Sequence, residues 1–100
     1  MNSNLIELST PGEVLKEEFL IPMGITQYVL AKSIFVDPPR IAAIIKGKRK
    51  ITADTALRFA KFFGNSAAFW MNMQSRYDLE TKREEKIRDL NLITQFHMAS

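Results

Sequence analysis

Between residues 38 and 61 the chain sets Arg40, Lys46, Lys48, Arg49, Lys50, Arg58 and Lys61 against a single acid, Asp54. Elsewhere the charges balance or reverse: residues 1 to 37 hold two bases and five acids, and residues 62 to 100 hold five of each. All of the excess positive charge therefore lies in one short stretch. Like charges crowded this way read either as a solvated basic loop or as a footprint for phosphate. What surrounds them decides between the two. The segment "VDPPRIAAIIKGKRKITADT", Val36 to Thr55, opens with two prolines and puts two alanines where a purely structural helix would carry soluble charge.

Groups able to do covalent or metal chemistry are scarce or isolated. There is no cysteine, so the chain offers no disulfide framework, no thiolate nucleophile and no zinc knuckle. His97, the only histidine, has no second His or Cys beside it, and no metal site is expected. Ser33 and Ser66 lack a histidine to activate a hydroxyl, and the four scattered glycines form no phosphate-cradling loop. Glu84 and Glu85 lie among Lys82, Arg83, Lys86 and Arg88, the pattern of a solvated helix face. No catalytic residue and no cofactor is expected. The longest apolar runs span a few residues, far short of the roughly 20 that cross a bilayer, and the amino end shows no secretory pattern. A cytoplasmic location follows as an expectation. With 46% hydrophobic and 25% charged residues in 100, the chain has the makings of one folded domain with one core.

Helix signals then locate the basic stretch. Thr10-Pro11-Gly12-Glu13 is a capping box with proline at the first helical position, so a first helix begins there, and Pro22 followed by Gly24 is expected to stop it. Thr26 caps a second helix, "TQYVLAKSI", with Leu30, Ala31 and Ile34 on one face. Asp37 caps a third with Pro38 at its start, and Ile41, Ile44 and Ile45 form its inner stripe. Gly47 ends it. Thr52 caps a fourth helix, "ADTALRFAKFFG", whose inner face is expected to hold Ala56, Leu57, Ala60 and Phe63, with Phe59 and Phe62 further round. A fifth starts near Asn65 or Ser66 and runs through "AAFWMNMQSRYDLETKREEKI". No strand pattern is present, and the fold class is all-α. The expected organisation is an amino-terminal arm over 1–10, one domain over 11–90 and a tail over 91–100.

Two short helices joined by a turn of three or four residues make a helix-turn-helix, in which the second helix enters the major groove of double-stranded DNA. With the isoleucines inward, Pro39, Arg40, Ala42, Ala43 and Lys46 face outward. Alanines permit close approach to base edges and meet a thymine methyl, and Arg40 carries a fork that bonds guanine in two places. Pro39, Arg40, Ala42 and Ala43 are accordingly expected at the bases. Gln27, Lys46, Lys48, Arg49 and Lys50 are expected at phosphates, which hold register without reading sequence. One short helix reads few bases, so a two-fold dimer on half-sites about 34 Å apart is the expected arrangement. Phe69, Trp70, Met73 and Tyr77, at helical spacing, are expected in the core or the dimer interface.

The stretches "PGEVLKEEFL", "GITQYVLAKSI" and "GKRKITADTALRFAKFFGNSAAFWMNMQSRYDLE" resemble, over Pro11 to Glu80, the HigA-type (VapI-like) antidotes of bacterial toxin–antitoxin modules, a branch of the lambda-repressor-like, XRE-type proteins. The resemblance implies a five-helix DNA-binding domain in a homodimer. It also implies a palindromic operator, repression of its own operon, and neutralisation of a HigB-like toxin, a RelE-like mRNA endoribonuclease. The chain departs from the family pattern at Phe35, where glycine is common in the turn, and at Ala42 and Ala43, where Asn and Glu are common. Two other readings stay open: a stand-alone XRE-type regulator, and a helical interaction module that no longer reads DNA.

Overall fold

The Thr10 hydroxyl accepts the Glu13 N–H at 3.0 Å while the Glu13 carboxylate accepts the Thr10 N–H at 2.9 Å, so the first helix starts where the capping box puts it. This is a computed structural model; it describes residues 9–98, and the proposed arm over 1–10 falls largely outside them. The first rod, α1, comprises Pro11–Val14, a π-helical stretch Leu15–Leu20 and a final turn Ile21–Met23. The rod ends at Met23 as the Pro22–Gly24 signal indicates, but Pro22 itself lies inside the last turn. In a regular α-helix its ring would press on the Glu18 carbonyl, and the π register, in which the Ile21 N–H donates to Lys16 O five residues back, opens the turn just ahead of the ring. The rod's C-cap, Gly24, takes the left-handed conformation at φ +67°.

The remaining helices are α2 (Gln27–Ser33), α3 (Pro38–Ile45), α4 (Ala53–Phe63), α5 (Ala67–Glu85) and α6 (Ile87–Asn91). Among the described residues there is no strand. Hydroxyl caps open three of them: Thr26 accepts from Val29 N–H, Thr52 from Thr55 N–H and Ser66 from Phe69 N–H, each satisfying a donor the first turn leaves free. Asp37 occupies the cap position of α3 but makes no side-chain cap bond there.

Leu15, Leu30, Ile41, Ile44, Phe59 and Trp70 are fully buried and bring all five longer helices to one core. Trp70 is its hub. Its ring lies 4.9 Å from that of Phe19, 5.0 Å from Phe59 and Phe69, and 5.7 Å from Phe63, while its Nε1–H donates to Asn65 Oδ1 at 2.9 Å. The expected inner face of α4 needs correction. Thr55, Ala56 and Phe59 are the buried residues, and Leu57 is 62% exposed. Asp54, Arg58 and Lys61 share one side of the helix and Leu57 lies beside them, so the stripe opposite, with Thr55, Ala56 and Phe59, is the one that turns to Trp70.

One close approach and one left-handed residue set the frame for α3. Gly12, buried in the first turn of α1, lies against the far end of α3: a Cβ there would stand 2.7 Å from the Ile45 Cα and collide with the Ile44 carbonyl. Phe35, in the turn before α3, holds φ +59° and is 85% exposed. For an L-residue the left-handed region costs about 1–2 kcal/mol, part of which glycine's greater unfolded freedom would return. Phe35→Gly is therefore expected to stabilise the fold by about 0.5–1 kcal/mol, seen as a higher urea midpoint at unchanged slope; a lower midpoint would mean the ring packs usefully.

Beyond Glu80 every described residue is exposed, and α5 breaks at Lys86 before α6. The radius of gyration, 17.0 Å, exceeds the roughly 13 Å of a compact 100-residue domain because this segment projects. It carries Ile87, Leu90, Ile93 and Phe96 into solvent.

Candidate nucleic-acid interface

α2 and α3 are joined by Ile34 to Asp37 and held from behind. Leu30 and Ala31 bury one side of α2, and Ile41 and Ile44 bury one side of α3, so the opposite positions are fixed in direction without any ligand. On α3, Pro39 and Lys46 are exposed while Arg40, Ala42, Ala43 and Ile45 are half-buried; on α2, Gln27 and Tyr28 are exposed. Gly47, at φ +77°, turns the chain, and Lys48, Arg49 and Lys50 follow in the open.

The cations of this stretch divide by their partners. Arg58 is internal: its Nε donates to Asp54 at 3.1 Å and its Nη1 to Ile34 O at 2.8 Å, which ties α4 to the turn between α2 and α3. Lys50 pairs with Asp78 at 3.2 Å. Lys46, Lys48 and Arg49 have no carboxylate paired to them among the described residues. Arg40 is intermediate. Its Nε is buried and unpartnered, so its stem is packed into the surface and one of its donors is turned inward.

Spacing along the chain did not reveal what anchors the loop. The buried Gln74 accepts the Ile51 N–H at 2.9 Å and donates to Asp78 at 3.0 Å, and Asp78 holds Lys50. This chain of contacts pins the exit of the basic loop to α5 across 23 residues of sequence, a separation no local pattern reports. Of the four residues expected in the core or a dimer interface, Trp70 is fully buried, Met73 and Tyr77 are half-buried and Phe69 is 42% exposed, stacked edge-on against Trp70.

A groove of about 600 Å³ opens between α1, the start of α2 and the start of α3, with Gln27, Pro39 and Ala42 on its lining. No helix of the described residues is long and apolar enough to cross a membrane.

A pair of short helices packed in this way, with a short turn between them and an outward second helix, defines a helix-turn-helix protein. The family profile described as Helix-turn-helix matches residues 15–70, and the chain belongs to this family, in its XRE-type branch, a family of DNA-binding regulators and not of enzymes. It is 48% identical over 83 residues to Virulence-associated protein I of Dichelobacter nodosus, a match covering 83% of this chain and 76% of that protein. It is 43% identical over 68 residues to Antitoxin HigA-1 of Vibrio cholerae, covering 68% of this chain and 64% of the other. Its structural neighbours include HigA antitoxins. The solved structure described as Pseudomonas aeruginosa antitoxin HigA with higBA promoter superposes with a TM-score of 0.86 at 34% identity, over 92% of this chain and all of that one.

Proposed function

We propose that this protein is a DNA-binding antitoxin that represses its own operon as a homodimer on a palindromic operator and neutralises a RelE-like, HigB-type mRNA endoribonuclease. The observation that carries the DNA part is the outward side of α3: a helix anchored by Ile41 and Ile44, small at Ala42 and Ala43, and followed by the exposed bases Lys46, Lys48 and Arg49, which pair with no carboxylate among the described residues. The neighbour solved with its promoter supports it. Arg40, with Pro39, Ala42 and Ala43, takes the bases; Gln27, Lys46, Lys48, Arg49 and, on releasing Asp78, Lys50 take phosphates. The projecting end of α5 with α6 is the natural place for a second copy, since its apolar side chains have no cover within one chain. The toxin part rests on family membership and on the named antitoxin relatives.

The two roles on α3 separate by mutation. Arg40→Ala is expected to lose about 1–3 kcal/mol of discrimination between the operator and its single-base variants. Lys48→Ala is expected to weaken binding to every duplex alike and to flatten the dependence of log K on log salt by about 0.9 per protomer, about 1.8 for the dimer. Binding isotherms over a salt series read both effects, and identical behaviour of the two variants would refute the division. For the toxin part, co-expression with the product of the adjoining reading frame should relieve its toxicity; no relief, or no such frame, leaves a stand-alone regulator.

A further inference from the structure

We propose that Asp78 on α5 competes with DNA phosphate for Lys50, so that the folded chain holds back part of its own attraction for DNA. This rests on the DNA-binding reading above and adds to it a positioning residue outside the helix-turn-helix, one whose effect on DNA passes through Lys50. Among the described residues Asp78 is the one carboxylate paired with a base of the loop after α3; Asp54, the acid within the basic stretch, is held by Arg58.

The geometry separates this pair from an ordinary surface contact. An exposed ion pair is worth little, in part because two side chains must be ordered to make it. Here one of the two is already in place. The buried Gln74 accepts the Ile51 N–H at 2.9 Å through its Oε1 and donates from its Nε2 to Asp78 Oδ1 at 3.0 Å. With one carboxylate oxygen held in this way, the other, Oδ2, lies 3.2 Å from the Lys50 ammonium. Ile51 follows Lys50 in the chain and is itself buried, so a single amide group fixes both the acid and the backbone beside its partner. Arg49 and Lys50 also line a small cleft, about 90 Å³, where the start of α1, the end of α3, the basic loop and α5 meet, and among the described residues Asp78 is the only acid on it.

The pair is nonetheless open to exchange. The Lys50 side chain is 70% exposed and that of Asp78 35%, so the ammonium leaves by rotation about its own stem and no backbone has to move. A phosphate oxygen then replaces a carboxylate oxygen, one anionic acceptor for another. A lysine already paired gives DNA only the difference between two such contacts, whereas Lys46, Lys48 and Arg49, with no carboxylate paired to them among the described residues, give the whole of theirs. The base contacts proposed for α3 take no part in this exchange, so the restraint falls alike on the operator and on unrelated duplex.

The test compares wild type, Lys48→Ala, Lys50→Ala, Asp78→Asn and the double variant Asp78→Asn/Lys50→Ala by fluorescence anisotropy of the full chain on an operator duplex and a scrambled duplex over a salt series. Asparagine keeps an oxygen for the Gln74 donor, so Asp78→Asn should retain the wild-type melting curve. It is expected to bind both duplexes about two- to fivefold more tightly per protomer near 0.1 M salt, with the gain shrinking as salt rises. Lys50→Ala should cost less than Lys48→Ala in the wild-type background and a larger factor once Asp78 is replaced, so that the double variant loses the gain. The comparison of Lys50→Ala with Lys48→Ala leaves Asp78 untouched and reads even if Asp78→Asn melts early. Equal losses from those two single variants, or one and the same loss from Lys50→Ala in both backgrounds, overturn the proposal while DNA binding stands. If wild type binds neither duplex at any salt, both readings fall together.

Discussion

Trp70→Ala lowers the free energy of unfolding by about 3–5 kcal/mol, the range for deleting a large buried aromatic side chain. Trp70 is wholly inaccessible and its ring stands within 6 Å of four phenylalanine rings on three helices. Alanine leaves a cavity that Phe19, Phe59 and Phe63 can close only by abandoning one another, and it strips Asn65 of its indole donor. Since domains of this size are stable by about 5–15 kcal/mol, the loss takes about a fifth of the total or more and lowers the melting temperature by roughly 12 °C or more. Urea denaturation followed by circular dichroism measures it, with Trp70→Phe as the milder companion that keeps most of the packing. A melting curve unchanged in Trp70→Ala would remove Trp70 from the core.

Gly12→Ala tests the frame of α3 in the opposite sense, by adding one carbon. In an isolated helix this change would stabilise by about 1 kcal/mol, because alanine is the better helix former. Here the new methyl meets the Ile44 carbonyl and the Ile45 Cα, and those are backbone atoms that no rotamer change can move. The expected result is a net loss of about 1–3 kcal/mol, the cost of overpacking, together with a fall in operator affinity as α3 is pushed from its place. The sign decides the matter. A stabilised variant with unchanged DNA affinity would mean that α1 and α3 do not approach as closely as Gly12 permits.

These two positions also mark the boundary of what the sequence discloses. Gly12 is visible in the sequence only as part of a capping motif, and nothing within ten residues of it hints that it faces Ile44. Trp70 is visible as a member of an apolar stripe with Phe69, Met73 and Tyr77, yet the four differ in burial from complete to largely exposed. Periodicity assigns a face to a helix, and burial depends on which neighbour covers that face. In α4, by contrast, Asp54, Arg58 and Lys61 mark the outer side within the sequence itself, which puts Leu57 beside them in solvent and Phe59 opposite, against Trp70.

The helix starts at Thr10, Thr26, Thr52 and Ser66, the inward isoleucines of α3 and the family itself were determined by the sequence alone, because caps, turn glycines and a 3.6-residue period act within a few residues of where they are written. Tertiary structure alone decided which bases are free. Arg58 is spent on the Ile34 carbonyl and Asp54, Lys50 on Asp78, and Arg40 is half drawn into the surface. The reason is that a charge is assigned its partner by distance in space, and the folded chain pairs charges far apart in sequence, as with Lys50 and Asp78, 28 residues apart.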